Sequence, residues 1–140
     1  MLISVRNNDQ PRVFFAHSTH SFGTDMEARI VQFLGKQFSV ICPNRDIGRL
    51  KNWKGFLQII GWADAIVVLE HDGFITMALY AQLLSALKQG IPVWCIRSLP
   101  EGFAFFQVER IEYQPNRTNR NYYGKLNLNL NASPVLPSIH

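Results

Sequence analysis

The chain has 140 residues, of which 47% are hydrophobic and 17% are charged. That length and composition predict one globular unit with its own core and exclude a disordered chain. The formal net charge of +4 is modest, and no dense run of Lys and Arg with interleaved aromatics is present, so we expect no nucleic-acid partner. No apolar run approaches the roughly 18 residues that span a bilayer, so no membrane segment is expected.

Cysteine usage indicates a reducing compartment. Cys42 and Cys95 both lie in apolar, strand-like surroundings, which is typical of buried, reduced thiols. No secretory signal pattern opens the sequence. We therefore expect a cytoplasmic protein.

The first half of the chain is predicted to alternate between strand and helix. Residues 12–16 and 38–42 are short apolar runs, typical of buried strands. Between them, Thr24 offers an N-cap hydroxyl and Glu27 completes a capping-box pattern, which predicts that a helix begins there. A second helix is predicted over residues 50–60, where apolar side chains recur at helical spacing.

The second half continues the alternation. Residues 65–69 form an apolar run with no polar alternation, as expected of a strand that is covered on both faces. A helix is predicted over 75–88, and Gly90 follows its end. Two further strands are predicted at 92–96 and 105–113.

Alternating strands and helices predict a parallel sheet with right-handed crossovers. The commonest order for five such strands is 2-1-3-4-5, so we expect an α/β, flavodoxin-like three-layer sandwich with a five-stranded parallel sheet. The domain is expected to span residues 1–115. Residues 116–140 are rich in Asn and Pro and are predicted to be an extended tail, with at most one short strand near 125–130 that adds to a sheet edge or reaches a neighbouring subunit.

Polar residues follow the predicted strands where each of them ends. Glu70, His71, Asp72 and Gly73 come directly after the strand at 65–69. In an open α/β sheet, ligands bind just beyond the carboxyl ends of the strands, so these residues are the leading candidates for a site.

The turns after the first two predicted strands carry further candidates for a ribose or phosphate ligand. The amides near Gly23 lie at the start of the predicted helix, whose positive end favours anions. Arg45 has the guanidinium geometry that binds a phosphate with two hydrogen bonds. Glu27 is either a capping partner or a site carboxylate. The candidate ligand-binding residues of these two turns are His17, Ser18, His20, Gly23, Asn44 and Arg45.

No metal or cofactor is expected. Adjacent residues on one loop rarely converge on one ion, and no second His or Cys pair has the spacing of metal ligands. The chain also lacks a Walker-type loop, a Gly-x-Gly-x-x-Gly motif and a Gly-x-Ser-x-Gly elbow. These absences argue against a P-loop NTPase, a dinucleotide dehydrogenase and an α/β-hydrolase.

Four segments resemble the nucleoside 2-deoxyribosyltransferase-like proteins, a group that includes the deoxynucleoside 5′-monophosphate N-glycosidases. They are residues 14–18, 22–27, 63–68 and 80–87, and the resemblance covers about residues 12–97. It implies a flavodoxin-like fold and a small-molecule nucleoside or nucleotide ligand. It also implies a homodimer or larger assembly, in which subunits complete one another's pockets.

The resemblance also assigns roles to single residues. In the family, a glutamate of the helix after the third strand attacks the anomeric carbon, and the matching position here is Gln82. An amide cannot form the ester-like glycosyl intermediate, so covalent glycosyl transfer is not expected. Asp64 matches an aspartate that helps to handle the base, although its place before the strand predicts the amino end. Asp72 could correspond to a second loop aspartate.

Three functions follow from these residues. The first is a nucleoside- or nucleotide-binding protein of this group with weak or lost N-glycosidase activity. The second is an active hydrolase or transferase on the N-glycosidic bond, in which Glu70 or Asp72 activates water as a general base. The third is a TIR-like signalling domain, which needs a catalytic glutamate on a helix facing the pocket, a requirement that Glu27 fits poorly.

Overall fold

Nine regular elements are present in residues 10–18, 23–42, 60–71, 73–118 and 120–134, which are the residues that the computed structural model describes. Two are helices and seven are strands. In chain order they are β1 (Arg12–His17), α1 (Asp25–Gly35), β2 (Ser39–Ile41), β3 (Ala65–Leu69), β4 (Phe74–Thr76), α2 (Met77–Lys88), β5 (Val93–Leu99), β6 (Gly102–Tyr113) and β7 (Tyr122–Leu128).

The strands form one open, mixed sheet of α/β type with the order β2-β1-β3-β5-β6-β7-β4. The strands β2, β1, β3 and β5 are parallel. Alternate side chains of β1 enter different cores: Val13 and Phe15 face α1, and Phe14 and Ala16 face α2. A sheet covered on both faces explains why β3 is apolar throughout.

The other three strands are antiparallel, so the expected five-stranded parallel sheet of order 2-1-3-4-5 is not what the protein has. β5 and β6 are joined by a tight turn in which Leu99 pairs with Gly102. A parallel neighbour would need a crossover of a dozen or more residues, and this connection is far too short. The positive φ of Gly102, 140°, suits such a turn.

The helix expected over residues 75–88 begins later than predicted, because a short strand occupies its first residues. Residues 74–76 form β4, which pairs antiparallel with β7, and α2 begins only at Met77. Thr76 ends the strand and caps the helix, because its hydroxyl accepts the backbone N–H of Leu79 at 3.3 Å.

The expected tail is also part of the sheet. β7 lies between β6 and β4, with Tyr122 and Leu126 buried. Ser133 pairs with Phe105 by two backbone hydrogen bonds. The domain therefore continues well past residue 115.

Two further expectations concern a helix at residues 50–60 and membrane-spanning segments. Most of the helix expected at 50–60 lies outside the described residues; buried Ile60 is helical, and so are the next two residues, Gly61 and Trp62. Among the residues that are described, no helix is long and apolar enough to cross a membrane.

Candidate functional site

The carboxyl ends of β1, β2 and β3 lie at one edge of the sheet. These strands are parallel neighbours, and His17 at the end of β1 pairs with Leu69 at the end of β3. We call this edge the carboxyl rim; its described residues are His17, Ser18, Cys42, Glu70 and His71. Three of the predicted turns therefore begin side by side, where ligands of open α/β sheets bind.

A buried group of three side chains, the His17 cluster, occupies one end of the rim. His17 ends β1, Cys42 follows β2, and Glu27 lies in the first turn of α1. The His17 Nε2 atom lies 3.1 Å from a Glu27 carboxylate oxygen and 3.4 Å from the Cys42 sulfur. The His17 and Glu27 side chains are each 1% exposed, and Cys42 is fully buried.

Both ring nitrogens of His17 lie close to an acceptor oxygen. Nδ1 lies 3.1 Å from the carbonyl oxygen of Ser18 and Nε2 lies 3.1 Å from the Glu27 carboxylate, so a neutral ring donates to one of the two. Burial lowers the pKa of His17, and the Ser18 hydrogen bond and the charge of Glu27 oppose this only in part. The lowered pKa favours the neutral ring.

Glu27 belongs to the cap of α1, and its carboxylate also lies next to His17. Its backbone N–H donates to the Thr24 hydroxyl at 3.2 Å, which is the N-cap contact of α1. One carboxylate oxygen accepts the backbone N–H of Gly23 at 3.4 Å, and the other faces His17. The residue that starts the helix therefore also belongs to the rim.

Glu70 is held by an ion pair at the end of β3. The Nε and a terminal nitrogen of Arg97, on β5, both donate to the same Glu70 oxygen, Oε1, the former at 2.7 Å. The Glu70 side chain is 7% exposed and that of Arg97 is 42% exposed. The guanidinium also lies 5.1 Å from the centre of the Phe106 ring. Glu70 thus has a fixed orientation.

Cys95, next to this pair, is chemically quiet. Burial, and then the charge of Glu70, raise the pKa of the Cys95 thiol to about 12. The thiol is therefore protonated at neutral pH and is a poor nucleophile.

A third contact joins the ends of β1 and β3 through β7. The Ser18 hydroxyl lies 3.4 Å from the Tyr122 hydroxyl. The Tyr122 ring stacks on His71 with a centroid distance of 5.3 Å. Two backbone hydrogen bonds of 2.9 Å between His71 and Phe74 close the turn at Gly73, whose φ of 84° is in the left-handed region.

Some candidate residues lie away from the rim. Asp64 precedes β3 at the amino edge, where its carboxylate accepts the backbone N–H of Arg12 at 2.7 Å. Gln82 lies on the buried face of α2 together with Leu79 and Leu83. The structure thus does not bring Asp64 together with Glu70. The remaining candidates, His20, Asn44, Arg45 and Asp72, lie outside the described residues.

Three residues of the site were missed as candidates. Arg97 directly follows the predicted strand at 92–96, so the rule that selected His17 and Glu70 by position would also have selected it. Cys42 was taken as the last residue of the predicted strand at 38–42, so the same rule passed over it. Tyr122 carried no signal, because its place depends on a strand pairing that the sequence does not reveal.

The rim offers hydrogen-bonding groups and a potential ligand set for a metal. The donor atoms of His17, Glu27 and Cys42 all lie within 4.8 Å of one another, and no other described His, Cys, Asp or Glu joins them. Comparisons of the chain with protein-family models, curated proteins and solved structures find no match.

Proposed function

We propose that the protein binds a nucleoside at the carboxyl rim and has weak or no N-glycosidase activity. The observation that supports this is a pair of polar contacts that link the ends of separate strands: Glu70, after β3, with Arg97 of β5, and Ser18, after β1, with Tyr122 of β7. A few polar groups brought together at the carboxyl ends of parallel strands are the usual features of a small-molecule site in this type of fold.

Glu70 is the residue suited to the sugar. Arg97 donates both of its hydrogen bonds to Oε1 of Glu70, so Oε2 is directed to the ligand in this proposal. A carboxylate at the end of a strand is a common acceptor for ribose hydroxyls. A fixed carboxylate binds them without the entropy cost of ordering a mobile side chain.

His71 and Tyr122 are the residues suited to the base. Their rings are already stacked, with Tyr122 buried and His71 exposed. An exposed, flat ring with a fixed partner behind it offers a surface on which a nucleobase stacks.

The described charges at the rim favour a nucleoside over a nucleotide. Glu27 and Glu70 are acidic, and Arg97 is the cation that neutralises one of them. Among the described residues of the rim, negative charge therefore exceeds positive charge, which disfavours a phosphate relative to an uncharged nucleoside.

Chemistry at the glycosidic bond is not expected to be efficient. The residue at the family's nucleophile position is the amide Gln82, on the buried face of α2. Glu70 would have to act as a general base while paired with Arg97. A homodimer or larger assembly in the cytoplasm is part of the same proposal and rests on the family resemblance and the two reduced cysteines.

Thermal-shift measurements with deoxynucleosides and their monophosphates test the proposal. A ligand at about 100 times its dissociation constant adds about 2.7 kcal/mol to stability, which gives a clear rise in the melting temperature. We expect at least one deoxynucleoside to produce this shift, and its monophosphate to produce a smaller one. Glu70→Gln should abolish the shift.

Glu112→Gln is the matched control. Glu112 also forms an ion pair with an arginine, Arg110, but on an exposed part of β6. The control should respond to the ligand like the unchanged protein. No shift with any nucleoside, or equal loss in both variants, would contradict binding at the rim, and rapid release of free base that Glu70→Gln abolishes would contradict a silent site.

A further inference from the structure

The His17 cluster brings a nitrogen, an oxygen and a sulfur donor atom together at a buried position. The three donors come from three different elements: the end of β1, the first turn of α1 and the residue after β2. Each of the three side chains offers one atom that can bind a metal ion, and these atoms all lie within 4.8 Å of one another.

The contact between His17 and Ser18 suits a metal ligand. In the tautomer whose Nδ1 donates to the Ser18 carbonyl, Nε2 carries a lone pair on the side of Glu27 and Cys42. In metal sites, a ligating histidine almost always donates its other N–H to a carbonyl or carboxylate, which fixes the tautomer. His17 has this outer contact already.

The separations are close to those within a zinc coordination sphere. Bond lengths of about 2.0–2.3 Å and tetrahedral angles predict separations of roughly 3.3 Å between nitrogen and oxygen ligands and roughly 3.6 Å between nitrogen and sulfur ligands. The observed nitrogen–oxygen and nitrogen–sulfur separations are 3.1 Å and 3.4 Å, and the oxygen and sulfur atoms lie within 4.8 Å of each other. The two separations that involve His17 therefore already suit a shared ion.

We propose that the protein binds one Zn²⁺ ion through Nε2 of His17, a carboxylate oxygen of Glu27 and the thiolate of Cys42, with water as the fourth ligand. Binding releases the Cys42 thiol proton to solvent, and the sulfur then donates an electron pair to the metal. The thiolate and the carboxylate together neutralise the doubly charged cation, so the buried site carries no net charge.

The mixed donor set indicates zinc among the divalent ions. Thiolate is a poor ligand for Mg²⁺ and Ca²⁺, which prefer oxygen, whereas zinc accepts sulfur, nitrogen and oxygen. The ion would join the end of β1, the first turn of α1 and the residue after β2 at one end of the carboxyl rim. This inference does not depend on the nucleoside proposal, since none of its three ligands is assigned to the nucleoside.

Titration of the metal-free full-length protein with Zn²⁺ and with Co²⁺ tests the site. We expect one equivalent of Zn²⁺ to bind and, at 100-fold excess over the dissociation constant, to raise the melting temperature by about 5 °C or more. Co²⁺ should give the near-ultraviolet absorption of a thiolate ligand and the strong visible bands of tetrahedral coordination.

Cys95→Ser is the matched control for Cys42→Ser. Both cysteines are free and fully buried, but only Cys42 belongs to the cluster. Cys42→Ser should weaken binding at least tenfold and remove the thiolate absorption of the Co²⁺ form. Cys95→Ser should leave both unchanged, and equal losses in the two variants would overturn the assignment.

A crystal grown with Zn²⁺ provides a test without variants. Anomalous scattering at the zinc absorption edge should place one peak within bonding distance of the three donor atoms. A fully occupied peak elsewhere, or no stoichiometric binding in solution, would overturn the site.

Discussion

At the residue scale, a substitution at Gln82 tests whether this side chain belongs to the core or lines the pocket. Gln82 shares the buried face of α2 with Leu79 and Leu83. If it belongs to the core, Gln82→Glu places a carboxylate in apolar surroundings and should lower the free energy of unfolding by about 1–3 kcal/mol without creating base release. Denaturant unfolding and a base-release assay measure the two effects. Efficient release of base by this variant would show that Gln82 lines the pocket.

Cys95 makes a prediction about alkaline pH. The pKa of its thiol is raised from 9.0 to about 12 in the folded protein, so the folded state keeps a proton that the unfolded state loses above pH 9. Stability from this group is thus complete below pH 9 and declines as pH rises from there. The decline should approach about 1.4 kcal/mol per pH unit.

Comparison with Cys95→Ser isolates this contribution from those of other groups. The free energy of unfolding of the unchanged protein should fall more steeply than that of the variant between pH 9 and 10.5. Parallel pH profiles would show that Cys95 titrates normally.

Sequence alone correctly located the residues that directly follow predicted strands. His17 and Glu70 were selected because polar groups at the ends of parallel strands meet at one edge, and the structure places both there. Tyr122 was not selected, since its contact with Ser18 spans 104 positions of the chain. Local patterns carry no information about such a pairing.

At the element scale, β7 pairs with β4 and lies in close contact with α2. A Cβ atom at Gly124 would lie 2.8 Å from the ring of Tyr80 and 2.9 Å from Ile75 Cγ1. Because Ile75 is fully buried, we expect Gly124→Ala to destabilise the protein by about 1–3 kcal/mol. Gly35→Ala is the control, since the Cβ there meets nothing within 4 Å, and it should be neutral or slightly stabilising. Denaturant unfolding of both variants checks the difference, and equal effects would argue against this packing.

Helix beginnings were predicted where side-chain capping is local. Thr24 and Glu27 lie three residues apart, and α1 begins between them. The beginning of α2 was missed, because residues 74–76 are apolar enough to fit either element and only pairing with β7 makes them a strand. The alternation at 126–130 did predict a strand, but its position between β6 and β4 depends on non-local pairing.

At the scale of the whole molecule, β7 makes the expected domain boundary untenable. β7 supplies buried Tyr122 and Leu126 and is the partner of both β6 and β4. A chain ending at residue 115 would lose these contacts and expose the apolar edge of β6. We expect it to lack the cooperative unfolding transition of the full chain in circular dichroism, and a cooperative, equally stable fragment would contradict this.

The direction of the strands was predictable from the sequence only for those that are joined by helical crossovers. Alternating strand and helix from 12 to 96 indicated an α/β sheet, and four strands of it are parallel. The reversal at Gly102 lies in the short connection between two strands, where no helix intervenes. A connection too short for a crossover is the physical sign that the remaining strands run antiparallel.

Residue-resolved NMR titration with a deoxynucleoside tests the central claim most directly. If the carboxyl rim is the binding site, chemical-shift changes should concentrate at Ser18, Glu70, His71 and Tyr122 and should spare Asp64 at the opposite edge. Changes centred on Asp64 and the amino edge, or no changes at millimolar ligand, would contradict the account.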